Sequence, residues 1–179
     1  MFIDILVLGH LATAPAHGYE IKQRVSRSIG GTEPLNNNVL YPALRRLDEM
    51  GAVESEVIHQ GASPPRRVYR LTDHGLDVLR GLVEDFPPES ALNDGEFNTR
   101  FAYFELIDAG ARLEILRIRA AAVQQLLDHL RRSVAEATDK GTHPYAPRLL
   151  EFLIGQRESE LCFLESLVHE QEEQAKARP

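Results

Sequence analysis

The sequence predicts a mainly α-helical protein in two parts: three helices carrying a two-stranded hairpin at the N-terminal end, and long amphipathic helices after them. Three observations carry this reading. Between residues 36 and 72 an amphipathic helix is followed by two β-rich runs, joined by a loop that holds a glycine and two prolines. From Leu113 to Val134 the apolar residues Leu113, Leu116, Ala120, Val123, Leu127, Leu130 and Val134 recur at alternating spacings of three and four, the seam of a coiled coil. Between these regions Phe86-Pro87-Pro88-Glu89-Ser90 breaks the helical pattern and marks a boundary. The expected division is therefore residues 1–85, a linker at 86–94, and a helical region at 95–176.

Residues 2 to 13 are too densely apolar for a surface helix and suit one buried on most sides, stopped before Pro15. Ala16-His17-Gly18 reads as a turn, and Tyr19 to Arg27 as a short second helix with Ile21 and Val25 facing inward. Gly30-Gly31 ends it, and Pro34 sets the chain extended. In the third helix, roughly Asn37 to Met50, successive residues 100° apart place Leu40, Leu44 and Leu47 on one inward stripe. Asn38, Tyr41, Pro42, Arg45 and Arg46 then point outward. Any of Asn36, Asn37 and Asn38 suits the N-cap, and Pro42, comfortable only in a first turn, favours a start at Asn37 or Asn38, or else a kink.

Gly51 stops that helix. Val53 to His59 alternates as a strand, Gln60 to Pro65 is a loop, Arg67 to Leu71 returns, and Thr72 caps a fourth helix striped by Leu76, Leu79 and Val83. Beyond the boundary, Asn93 or Asp94 starts a short helix holding Phe97, Phe101, Tyr103 and Phe104. A long helix runs from Ala111 to about Ala137, residues 140 to 144 turn the chain, and a last helix carries Leu150, Leu153, Leu161, Leu164 and Val168, its stripe interrupted by Arg157. The polar tail from Glu170 is expected to fray.

Composition excludes several classes. No run of about 18 apolar residues exists, which argues against a membrane span. The first residues lack the positive charge and cleavage site of a secretory leader, so a cytoplasmic protein is expected. Cys162 is the only cysteine, and His10, His17, His59, His74, His129, His143 and His169 show no paired zinc spacing. No Gly-rich phosphate loop follows a strand, and nothing brings a Ser, His and Asp together, so neither enzyme nor cofactor is expected. The net charge of −7 opposes a nucleic-acid partner. Its distribution softens that objection: residues 1–85 carry 9 basic and 11 acidic side chains, and residues 86–179 carry 11 and 16. Between Val57 and Thr72 the only formal charges are Arg66, Arg67 and Arg70.

A helix pair followed by a basic hairpin suits double-stranded DNA, because an α-helix fits the major groove and a flexible basic loop reaches the backbone or minor groove beside it. On that reading Asn38 and Tyr41 offer donors and acceptors, Arg45 a phosphate contact, and Arg66 and Arg67 the hairpin tip. The plainer alternative is a solvated basic face and an asparagine run that only caps a helix.

Three segments sharpen the choice. HGYEI at 17–21, NNNVLYPALRRLDEMGAVES at 36–55 and PPRRVYRLTDHGLDVL at 64–79 resemble the winged helix-turn-helix domain of the PadR family of bacterial transcriptional regulators. The resemblance implies a homodimer that binds a palindromic operator, usually as a repressor, and releases it when a small molecule or other signal arrives. Carried over by position, it puts Asn37, Asn38 and Tyr41 where the recognition helix meets DNA, Arg66 and Arg67 in the wing, and Tyr19 and Lys22 where the second helix touches phosphate. Leu44, Leu47, Tyr69, Leu71 and Gly75 fall on structural positions. The sequence departs from the family at the asparagine triplet, where small hydroxyl residues are expected, so no operator sequence is carried over.

A dimer is also expected on physical grounds. Leu113, Leu116, Val123, Leu127 and Leu130, with Leu161 and Leu164 on the last helix, form apolar seams that long helices bury poorly alone. The alternative is a hairpin closed within one chain. An effector pocket lined by Phe97, Phe101 and Phe104 is set against plain core packing at the same spacing. Two other functions compete: a winged-helix module that binds protein and not DNA, and a MarR-like regulator, which would need a dimerisation helix ahead of residue 2.

Overall fold

The computed structural model describes residues 2–27, 36–58, 66–140 and 145–177. The expected turn at Gly30-Gly31, the loop at 60–65 and the turn at 141–144 lie outside them. The element order is α1 (Phe2–Thr13), β1 (Ala16–His17), α2 (Gly18–Ser26), α3 (Asn37–Glu49), β2 (Val53–Ile58), β3 (Arg66–Leu71), α4 (Asp73–Glu84), α5 (Asp94–Phe101), α6 (Ala109–Lys140) and α7 (Ala146–Ala177). Short 3₁₀ turns cover Pro88–Ser90 and Phe104–Leu106. The fold is mainly α with a winged helix-turn-helix unit followed by long helices. No helix among the described residues is long and apolar enough to cross a membrane.

Contacts divide the chain into two compact units: 1–86 with 93–107, and 87–92 with 108–179. In the first, α1 is buried from Asp4 to Gly9 and packs against α2, α3, α4, α5 and β3, as its dense apolar sequence requires. Leu40, Leu44 and Leu47 are buried on the inner face of α3, and Leu79 and Val83 on α4. Each such side chain contributes about 1.5–3 kcal/mol on leaving water.

Ala16-His17, expected as a turn, is a two-residue strand. It pairs with β3 at Tyr69 and Val68, giving an antiparallel sheet in the order β1-β3-β2. Two residues are too few for a periodic signal, and only the free edge of β3 creates this strand.

The α5 helix, expected beside the C-terminal helices, makes its contacts in the first unit. Phe97 is buried with its ring 6.1 Å from that of Phe86, and the Arg100 guanidinium donates to the Asp85 carbonyl at 2.8 and 3.1 Å. An apolar ring and a buried cation both need partners, and the end of α4 supplies them.

In the second unit α6 and α7 run antiparallel: Arg117 bonds Glu172 at 2.7 Å and Arg131 bonds Glu158 at 2.8 Å, so partners advance along α6 and retreat along α7. The α6 seam, expected to need a partner copy, is covered from within the chain. Leu116, Val123, Leu127 and Leu164 are buried between the two helices, while Leu113, Leu130 and Leu161 are half-buried. The reason is length: α7 spans 32 residues, enough to lie along the whole seam, and its polar tail stays helical to Ala177. Arg157, which interrupts the apolar stripe, faces Glu160, and Glu160 also receives Nε of the buried Arg119 at 2.7 Å.

Candidate nucleic-acid interface

The start and stop of α3 set the site. Asn36 is the N-cap: its backbone is extended and its Oδ1 accepts the Asn38 backbone N–H at 2.9 Å. Pro42 therefore lies in the second turn, where its missing N–H leaves the Asn38 carbonyl without its helical partner. At the far end Gly51 has φ +71°, and bonds from Gly51 N to Asp48 O (3.0 Å) and Ala52 N to Leu47 O (2.9 Å) complete a Schellman stop. The chain is thereby aimed into β2. The Thr72 hydroxyl accepts the Gly75 N–H at 2.9 Å and caps α4. A side chain at Gly75 would lie 1.9 Å from the Ala52 carbonyl, so α4 packs this close only with glycine there.

The outward face of α3 carries Asn37, Asn38, Tyr41, Pro42 and Arg45, all exposed. Arg46, expected there, turns back to the buried Asp4 carboxylate of α1 and forms an ion pair. A carboxylate in the core needs a charge partner, and α1 leaves Arg46 as the one it uses. On α2, Tyr19 is 67% exposed and its hydroxyl accepts from Gln23 at 2.9 Å. Lys22 donates to the Asn37 side-chain oxygen at 2.9 Å, linking two residues that were expected to act separately.

Arg66 and Arg67 were expected at the hairpin tip. Both side chains are exposed and open β3, Arg66 in register with Ile58 and Arg67 with Val57; Arg67 was also expected to begin the returning strand. Burial pushes the Tyr69 hydroxyl above its ordinary range, against the opposing charge and hydrogen bond of Arg67.

Sheet, α2 and α3 together enclose an open cleft of about 660 Å³ lined by His17, Gly18, Tyr19, Glu20, Gln23, Tyr41, Arg66, Arg67 and Tyr69. A second cleft of about 330 Å³ adds Arg45 and Asp48. Tyr41, Arg67 and Tyr69 line both, and Tyr41 packs 3.1 Å from where a side chain on Gly18 would begin. Aromatic walls with guanidinium groups suit an anionic, ring-bearing polymer. Sequence reasoning missed His17, Glu20, Gln23 and the cleft-facing side of Tyr69, because the β1–β3 pairing that gathers them has no local signal. Glu20 also accepts the His17 backbone N–H at 2.9 Å, which holds the entry to α2.

The aromatic trio is occupied with itself: the Phe97 and Phe101 rings lie 5.8 Å apart and those of Phe101 and Phe104 5.0 Å apart. These contacts fit the packing alternative. Among the described residues no three His, Cys, Asp or Glu side chains are grouped to hold a metal ion.

Comparison with known proteins places this geometry. Residues 7–81 match the model of the PadR-like family of transcriptional regulators. The chain is 28% identical over 116 residues to a probable transcriptional regulator of Mycobacterium tuberculosis, covering 62% of this chain and 60% of that one. It is 28% identical over 99 residues to the negative transcriptional regulator PadR of Bacillus subtilis, covering 55% and 53%. The aligned part of the chain thus spans 60% and 53% of the lengths of these two relatives. A solved PadR family transcription regulator from hypervirulent Clostridium difficile R20291 is 33% identical, with 44% of this chain and 80% of that one covered and a TM-score of 0.39. Residues 7–81, which hold the motifs at 17–21, 36–55 and 64–79, thus match the PadR-like family of transcriptional regulators.

Proposed function

We propose that this protein is a sequence-specific DNA-binding regulator of transcription, a homodimeric repressor of the cytoplasm that releases a palindromic operator when a small molecule or other signal arrives. The observation that carries the reading is the single face on which α3 exposes Asn38, Tyr41 and Arg45 beside Tyr19, Arg66 and Arg67. The match of residues 7–81 to the PadR-like family and the name of the Bacillus subtilis relative, a negative regulator, support it. On this reading α3 enters the major groove, and Arg45, Arg66 and Arg67 neutralise phosphates. The protein acts by binding and not by catalysis.

A homodimer is supported by the outer face of α7, where Tyr145, Leu149, Phe152 and Phe163 are exposed. That is more apolar surface than a solitary helical hairpin leaves to water without cause. In such a dimer two recognition helices would lie about 34 Å apart, one turn of DNA.

The net charge of −7 favours a second reading, a protein-binding module. One titration separates them. Binding of fluorescent duplexes, selected from genomic fragments by the purified protein, is expected to fall steeply with salt. Tyr41→Ala and Arg67→Ala are expected to weaken it at least tenfold while the helical circular dichroism and the sedimentation coefficient stay unchanged. Equal affinity for both variants would remove the assigned face, and no DNA affinity at low salt would favour the protein-binding module.

A further inference from the structure

The three asparagines that open α3 are not equivalent. Asn36 spends its side-chain oxygen on the cap. Asn37 gives its side-chain oxygen to Lys22 Nζ, 2.9 Å away. An ammonium carries only donors, so the carboxamide edge turned toward it is the oxygen, one of whose two lone pairs is thereby taken, while the Asn37 NH₂ is left unengaged. Asn38 is exposed, and its carboxamide has no hydrogen-bond partner among the described residues. Its backbone carbonyl is also unclaimed by the helix, because the residue four positions on is Pro42.

Base edges distinguish these two states. Adenine offers an N7 acceptor beside an N6 donor, so a carboxamide pairs with it fully only when oxygen and NH₂ are both available. Asn38 meets that condition. A carboxamide whose oxygen is already engaged is matched better by the N7 and O6 acceptors of guanine, or by a phosphate oxygen. We propose, building on the DNA-binding reading above, that Asn38 is the adenine-reading residue of the triplet and that Lys22, by engaging the Asn37 oxygen, biases Asn37 toward donor contacts. Lys22 is then a positioning residue: it sets specificity through Asn37, whatever phosphate it also meets.

The test is selection from a random-sequence duplex pool by the full-length protein and by Asn37→Ala, Asn38→Ala and Lys22→Met, read as base preference at each enriched position. Wild type and Asn37→Ala are expected to retain an adenine at one position of each half-site. Asn38→Ala is expected to lose roughly tenfold or more of the discrimination at that position. Lys22→Met, which returns the Asn37 oxygen, is expected to add an adenine preference next to it. Loss of the adenine in Asn37→Ala but not in Asn38→Ala overturns the assignment, as does an Asn38→Ala profile identical to wild type. An unchanged Lys22→Met profile overturns the role given to Lys22. A wild-type protein that enriches no site and binds no duplex at low salt overturns the underlying DNA reading, an outcome distinct from the others because no variant need be compared.

Discussion

The two units of this protein solve the problem of burial differently. In the first, a ring of short helices and a three-stranded sheet closes over Ile5, Val7, Leu8, Ile21, Leu40 and Leu44, all nearly or wholly inaccessible, and the buried charges are held at its margins: Asp4 pairs with Arg46, and Arg100 with Glu96. In the second, two helices of 32 residues lie side by side, and a guanidinium sits among the leucines: Arg119 is 2% exposed and joined to Glu160 on the facing helix and to the Ala91 carbonyl at 2.7 Å. A many-sided core fixes its own geometry by shape, since few arrangements fill it. A two-helix hairpin can slide, and a buried ion pair with one partner per helix penalises each wrong register.

The largest effect should come from the shape-determined core. Leu44→Ala removes a wholly buried side chain from α3 and is expected to cost about 2–5 kcal/mol in urea unfolding. A cost under about 1 kcal/mol would mean that the first unit tolerates loose packing and that the contrast is false. Next is the charge-determined hairpin. Arg119→Met strands Glu160 with only Arg157, and a loss on the order of 3 kcal/mol is expected, recovered in the Arg119→Met/Glu160→Leu double variant. If the double variant stays as weak as the single, the pair supplies stability itself, not register.

The smallest effect separates the units by pH. His10, at the end of α1, has its pKa lowered from the ordinary 6.5, first by burial and second by the charge of Arg24. The unfolded chain therefore binds a proton more readily than the folded one, and stability falls as pH drops through about 6.5. Thermal unfolding of wild type against His10→Gln between pH 7.5 and pH 5.5 is expected to show a shallower fall for the variant. Parallel curves would place the pH dependence elsewhere.

Much of the first unit was legible in the sequence, because its signals are local. The Leu40, Leu44 and Leu47 stripe has the helical period, Gly51 permits the left-handed stop, and Thr72 has a hydroxyl in capping position. The exposed face with Tyr41 and Arg45 follows from the same 100° step, and so does the expectation that Arg46 lies there too. That expectation failed because periodicity gives a direction and not a partner: Asp4, far away in sequence, claims Arg46. Arg67 was legible as the start of the returning strand and Arg66 was not, since the strand's length is set by the pairing of Arg66 with Ile58.

What the sequence determined by itself, then, is the kind of each long helix and of the two hairpin strands, their inward faces and the family to which the motifs point, since these depend on neighbours within a turn or two. What only the tertiary structure decided is which partner satisfies each exposed or buried group. It chose α7 to cover the α6 seam, β3 to recruit Ala16-His17, α4 to receive Phe97, and Lys22 to engage Asn37. A hydrogen bond or an apolar contact is made between groups that meet in space, and chain order alone carries no term for that distance.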